Sequence, residues 1–276
     1  MSASLDTTLR PVRPAVVREL AEFLAVAVTA SWIMGGIGIV LLGDFGLMLG
    51  VLSLPVVAGL LTWHREGSLT SLWSQVTRWR VGWRWYVVAA GLPVLVIAIG
   101  LALLMLLTGE GPAETRTTGP AIVVTFLLYL LLVGGPEEPA WRGYALPRLQ
   151  SLFDSLTASL VLGAVWALWH LPLWFLPGTP QNGSPFGWFA LMSLGLCVIY
   201  TWLYNSTQGS VLIVMVFHAM WTLALGWAPT TTAAWSLLAG LTTVVALVLG
   251  LRLGREHLSH LPRIQYPKSE SLRTAA

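Results

Sequence analysis

The chain has 276 residues, 56% of them hydrophobic and 10% charged. A soluble domain carries about a quarter charged residues, so this composition points to lipid as the solvent. The formal net charge of +3 is small, no long basic run alternates with aromatics, and there is one cysteine, Cys197; nucleic acid as a partner and an intrachain disulfide are both excluded.

A membrane span needs about 20 apolar residues, and the chain offers one after another. Residues 1–22 are polar, with Arg10, Arg13 and Arg18, and read as a tail. The apolar run 23–42 is longer than a signal-peptide core and has no cleavage signal behind it, so it reads as an uncleaved first span. A second run, 45–63, follows after only Gly43-Asp44, which suggests a tight hairpin. Residues 68–85 alternate Trp with Arg78, Arg80 and Arg84 and read as an interfacial helix, rings at headgroup depth and guanidiniums near lipid phosphate. Further spans are expected over 86–107, 120–133, 156–176, 188–204, 211–227 and 235–251, the second of these running on through a Gly/Pro-rich stretch toward Gln150. The expected architecture is all-α, a polytopic transmembrane helical bundle of about eight spans. Its parts are a tail (1–22), N-terminal helices (23–119), a core (120–227), a last helix (228–253) and a tail (254–276).

With eight spans both termini share a side. That side collects the N-terminal arginines, Arg65, Arg78, Arg80, Arg84, Arg142, Arg148, Arg252, Arg255, Arg263, Lys268 and Arg273. The other side receives only Arg116, beside Glu110 and Glu114. The positive-inside rule then predicts a multi-pass protein of the cell membrane with both termini cytoplasmic.

The unusual stretch is Gly134-Gly135-Pro136-Glu137-Glu138-Pro139-Ala140-Trp141-Arg142-Gly143. On a helix Glu138 and Arg142, four apart, face each other, while Glu137 lies about 100° round and points elsewhere. One carboxylate would be held by the guanidinium and the other left for chemistry; two interfacial acids at a helix start are the simpler alternative. His170 and His218 each sit within an apolar run, and Pro172 should bend the helix near the first. Intramembrane polar groups must face the bundle interior and find partners, and one shared polar centre is the economical arrangement.

Glu137-Glu138-x-x-x-Arg142, Trp166-x-x-x-His170 and Phe217-His218-x-x-x-Thr222 follow one another in that order. Together, over about residues 120–225, they resemble the type II CAAX prenyl endopeptidases and the bacterial Abi (bacteriocin-processing and immunity) proteins, often described as CPBP intramembrane metalloproteases. Trp166 stands where that family usually has Phe, a mild change, and Thr222 where it has Asn or Asp. The resemblance implies an endopeptidase. Glu137 would be the general base for an attacking water, and His170 would hold that water or a metal. His218 would donate to the oxyanion with Thr222 on the same face, and Glu138 with Arg142 would orient the site. A divalent metal such as zinc, if present, would use Glu137, His170 and His218; the metal-free route is slightly favoured, because a His218 engaged with the oxyanion is lost as a ligand. Expected partners are a peptide or membrane-protein substrate and the lipid bilayer. A non-catalytic immunity or scaffold protein of the same fold, and a proton-coupled transporter, stand as alternatives; no inverted repeat supports the latter. His257 and His260 read as solvated tail residues, Asn205-Ser206-Thr207 as a sequon discounted by its cytoplasmic placement, and Thr230-Thr231-Thr232 as an exposed turn.

Overall fold

The computed structural model describes residues 12–114 and 117–266. Arg10, Arg116, Lys268 and Arg273, which enter the charge partition, lie outside the described residues, as does the side chain of Arg13. The described residues form helices joined by turns and irregular segments, with no strand among them. In order come α1 (Val12–Leu42), α2 (Leu47–Glu66), α3 (Thr70–Val76), α4 (Trp83–Thr108), α5 (Ala121–Leu132), α6 (Leu146–Leu152), α7 (Ser155–Trp169), α8 (Phe186–Ser206), α9 (Val211–Leu225) and α10 (Thr232–Leu253). Six stretches are long and apolar enough to cross a membrane. The first of them, Pro14–Glu66, contains two helices, and α9 is a shorter apolar helix beside the six. The protein is thus a polytopic helical bundle.

The glycines of the first hairpin explain its closeness. The turn Gly43–Gly46 joins α1 to α2. A Cβ on Gly38 would lie 2.1 Å from the Gly46 carbonyl oxygen, and one on Gly50 2.6 Å from the Ser31 oxygen. Small residues let the two backbones touch, the usual means of packing helices where lipid supplies no hydrophobic drive. The same device seats α8, the most buried of the long helices. Gly163 of α7 lies against the Leu194 backbone, and Gly195 of α8 against the Thr242 backbone of α10.

The expected interfacial helix over 68–85 is shorter than read. Only α3 is helical, residues 77–82 are irregular, and Trp83 already begins α4. Trp73, Trp79 and Trp83 are nevertheless exposed. Alternating Trp and Arg signals depth in the bilayer, and depth does not require a helix. The helix expected over 156–176 also stops early, at Trp169, and continues as the 3-10 stretch Leu171–Phe175. Pro172 has no N–H to give and its ring opposes the carbonyl four residues back. The threonine run proves to be a cap: Thr231 accepts from the Ala234 N–H at the start of α10 and donates to Glu110.

The segment after α10, read as a tail, folds back onto the bundle as far as Tyr266. Gln150 and Asn205, both fully buried, exchange amide hydrogen bonds of 3.1 and 2.8 Å. Gln150 also donates to the Ile264 carbonyl and Asn205 to that of His257. The Arg148 guanidinium is sandwiched between the rings of Tyr144 and Tyr266, at 3.6 and 3.7 Å. Asn205 is therefore closed to glycosylation by burial. His257 is half-buried and accepts from the Arg263 N–H, while His260 is exposed.

These contacts generate a stability prediction. Asn205→Leu takes a partner from the Gln150 amide, the His257 carbonyl and the Ile264 N–H, at a cost of about 1–3 kcal/mol per stranded buried group. Thermal unfolding in detergent should show a lower midpoint for Asn205→Leu, whereas Ser206→Ala, which loses only a weak 3.2 Å bond to Ser259, should leave it within a degree or so of wild type.

Candidate active site

Between α5 and α6 the α-helix cannot continue. Pro136 and Pro139 supply no N–H, and Val133 departs from helical angles (φ −116°, ψ −92°). The chain passes through a 3-10 turn, Gly135–Glu137, and a π-helical stretch, Pro139–Ala145, before α6 resumes. Wide turns of this kind recur at functional sites because they re-aim side chains. The Glu138–Arg142 pairing expected from helical spacing is present, but on this wound-out segment. Two glycines make room for it. A Cβ on Gly134 would fall 2.6 Å from Cδ2 of His218, and one on Gly135 1.9 Å from the Leu130 carbonyl oxygen.

Glu138 is the hub. Arg142 Nη1 lies 3.1 Å from Oε1 and 3.0 Å from Oε2, and His218 Nδ1 is 2.6 Å from Oε1. A carboxylate only accepts, so His218 donates through Nδ1, a tautomer assigned from its partner. The other nitrogen, Nε2, faces the Gly134 backbone. The second arm of Arg142 donates to Cys197 Sγ (2.9 Å), and its guanidinium lies over the Tyr200 ring at 4.3 Å. Glu138 and Arg142 are both 0% exposed. Such a pair has to be self-neutralising, since either charge alone in hydrocarbon is expensive.

Glu137, equally buried, has a different environment. Its Oε2 accepts one hydrogen bond, from Trp166 Nε1 at 2.7 Å. No cation pairs with it among the described residues. Two adjacent carboxylates thus differ sharply: one is bound by a guanidinium and an imidazole, the other by a single neutral N–H.

His170 closes α7. Its Nδ1 lies 2.8 Å from the Trp166 carbonyl, which can only accept, so Nδ1 carries the proton and Nε2 keeps a lone pair. The Trp166 indole meets both imidazoles edge-on, His170 at 5.0 Å and His218 at 5.5 Å between centroids. Glu137, Glu138, Arg142 and His218 therefore form one polar centre, and His170 joins it through the Trp166 ring. Thr222 does not join. Its single hydroxyl proton goes to the His218 carbonyl (3.0 Å), four residues back on the same helix.

Trp166 is the residue that reading the sequence undervalued. As a substitute for Phe it counted as a mild change, yet its N–H makes a contact no Phe can make. The signal was available: an indole N–H in an apolar run needs an acceptor, and the chain has few to offer there. Cys197 and Tyr200 gave no such signal within their apolar surroundings.

A metal held by Glu137, His170 and His218 requires those donors to converge. Among the described residues no group of three or more His, Cys, Asp or Glu side chains is arranged to hold a metal ion. Glu138 is already engaged by Arg142 and His218. The donor set, as arranged among the described residues, does not fit a metal centre.

Residues 119–224 match the model of the family described as Rce1-like, type II CAAX prenyl endopeptidase. Among curated proteins, CAAX prenyl protease 2 of Methanococcus maripaludis is 37% identical over 103 residues, which are 34% of this chain and 37% of that protein. The chain thus spans little more than a third of the length of that relative. The family match runs from just before α5 into the last turn of α9 and contains every residue of the polar centre.

The unequal carboxylates predict unequal mutants. Arg142→Ala leaves Glu138 as a buried charge without its main counter-ion, at a cost of about 3–5 kcal/mol; folded yield in detergent and the unfolding midpoint should both drop. Glu137→Gln keeps an oxygen to accept from Trp166 and should unfold close to wild type. Equal destabilisation of the two would mean that Glu137 serves the fold as much as Glu138 does.

Proposed function

From the Rce1-like character of residues 119–224, we propose that this chain is an intramembrane endopeptidase. In this reading it hydrolyses a peptide bond, near the cytoplasmic membrane face, in a peptide or membrane-protein substrate. The observation that supports it most is the contrast between Glu138, held by Arg142 and His218, and Glu137, whose side chain accepts one hydrogen bond, from Trp166, and has no ion pair among the described residues. A carboxylate without a cationic partner can take a proton; one held by a guanidinium cannot do so readily.

The chemistry follows from the free positions of each group. Glu137, fixed by the indole N–H on one oxygen, takes a proton from water with the other. The His170 lone pair at Nε2 accepts from the same water and holds it in line. The hydroxide adds to the peptide carbonyl carbon, and the oxyanion that forms is met by the His218 ring, which Glu138 holds at Nδ1. Glu138 orients that ring, and Arg142 balances Glu138, so charge develops in a centre already organised for it. When the C–N bond breaks, Glu137 returns its proton to the leaving amine, which balances the cycle.

The direction of access rests on charge. Arg148 pairs with Glu19 at 3.0 Å, Arg65 with Glu19 at 3.4 Å, Arg255 with Asp154 at 2.7 Å, and Ser210 holds the Arg78 carbonyl at 2.7 Å. These links gather the arginine-bearing ends of the helices at one end of the bundle. By the positive-inside rule that end is cytoplasmic, and both termini with it. His218 lies seven residues into α9 from that end, a depth of roughly 10 Å.

Peptide profiles of membranes from cells carrying wild type and Glu137→Gln test this reading. The wild type should generate fragments that the variant does not, and chelators should leave those fragments in place. Trp166→Phe keeps the ring contacts but removes the N–H to Glu137, and should lower kcat by roughly 10- to 100-fold with a native unfolding midpoint. Identical profiles for wild type and Glu137→Gln would sink the proposal, and abolition by chelators would restore a metal to it. Reporter fusions test the topology separately: those after Trp73 and Arg263 should report cytoplasm, and those after Glu114 and Asn182 the outside.

A further inference from the structure

At the arginine-rich end, and sharing no lining residue with the Glu–His centre, α4, α8, α10 and the returning segment form a groove of about 430 Å³. Its walls are apolar: Trp85 and Trp202, in edge-to-face contact at 5.5 Å, with Val248, Leu249 and Leu253 opposite. Arg252 and His260 stand at its mouth. A smaller cleft of about 240 Å³ shares Trp85, Ser206 and Leu261 with it and adds Arg78 and Arg80. Among the described residues, no acidic side chain lines either space. Arg78, Arg80 and Arg252 form no ion pair among the described residues. Arg78 Nε is, in addition, buried without a hydrogen-bond partner.

Elsewhere at that end Arg65, Arg148, Arg255 and Arg263 have carboxylate partners, while Arg84 forms no ion pair among the described residues. Arg252 lines the apolar slot itself, and Arg78 and Arg80 line the cleft that adjoins it. The outer face of α10 beside the slot is also apolar and exposed, at Leu247, Val248 and Leu251, so the groove opens sideways toward hydrocarbon as well as toward water. An occupant that matches both openings has an anionic head and an aliphatic tail.

We propose that this groove is a binding site for one anionic phospholipid of the leaflet on that side. An acyl chain lies between the two tryptophans and α10, and the phosphate lies among Arg78, Arg80 and Arg252. The volume falls in the range of defined ligand sites, roughly 300–1,000 Å³, and Trp rings at headgroup depth are the ordinary neighbours of such a ligand. A soluble anion would leave the apolar slot unused, and a neutral lipid would leave the arginines unpaired. The inference requires the membrane but not the peptidase reading.

The test is native mass spectrometry of the full chain in detergent, titrated with phosphatidylglycerol and with phosphatidylcholine of the same chain length. Each guanidinium near an anionic headgroup is worth about fivefold in affinity. Wild type should therefore prefer phosphatidylglycerol strongly. Arg78→Gln/Arg80→Gln/Arg252→Gln should lose roughly 100-fold of that affinity with phosphatidylcholine binding unchanged. The triple Lys variant at the same positions, which keeps the charge, should retain most of the preference, and so guards against misfolding in the Gln variant. Equal binding of the two lipids to wild type, or an undiminished preference in a folded triple Gln variant, overturns the site. So does full displacement of phosphatidylglycerol by inorganic phosphate, which would reduce the groove to a patch for free anions.

Discussion

The organisation of this protein depends on one requirement: a guanidinium placed deep in an apolar bundle has to be neutralised on the spot. Arg142 and Glu138 meet it together, and everything around them serves the pair. Cys197 and Tyr200 take the remaining arm and face of the guanidinium, which fixes the rotation of α8 about its axis. His218 takes the remaining side of the carboxylate, which fixes α9. Gly134 has no side chain because the imidazole fills the space one would occupy. A charge pair in hydrocarbon contributes little net stability, yet breaking it is costly, and that asymmetry suits it to specifying a single helix arrangement.

Glu137 is a by-product of this geometry. It precedes the hub residue in the chain, so it is drawn into the same interior, but the counter-ions have already been used by its neighbour. It meets the edge of an indole instead. The Trp166 ring, with one imidazole on each side, both orients the free carboxylate and keeps the two histidines in contact with a single rigid surface. The imidazoles and the free carboxylate are arranged around one indole, and among the described residues they do not gather as a metal-holding group.

How much of this was legible in the sequence varies with the kind of signal. Apolar length gave the helices, and four-residue spacing gave Glu138 with Arg142, because both are local. The convergence of His218 on Glu138 was legible only as an argument from scarcity: so few polar groups lie within the apolar runs that they must share partners. The 3-10 and π turns were not legible, since Pro136 and Pro139 announce irregularity without saying which. Thr222 shows the limit of face arguments. It lies on the same face as His218, as spacing requires, but its proton turns inward to the helix's own backbone. The folding-back of residues 254–266 left no trace either, because Gln150 and Asn205 reach for main-chain carbonyls there, and carbonyls have no letter in a sequence.

That returning segment has a consequence for the order of assembly. The stretch that bears the glutamates ends in α6, and α6 is anchored by Gln150 and Arg148 to residues made more than a hundred positions later. While the ribosome is still extending the chain, the helices before α10 can already be in the bilayer with the buried amide of Gln150 lacking its last acceptor. Only after α10 has been inserted do Ile264 and Tyr266 arrive from the aqueous side to complete the underside of α6. The charged interior is therefore laid down early and latched late, and until the latch arrives a half-made chain holds its glutamates on an unsecured helix.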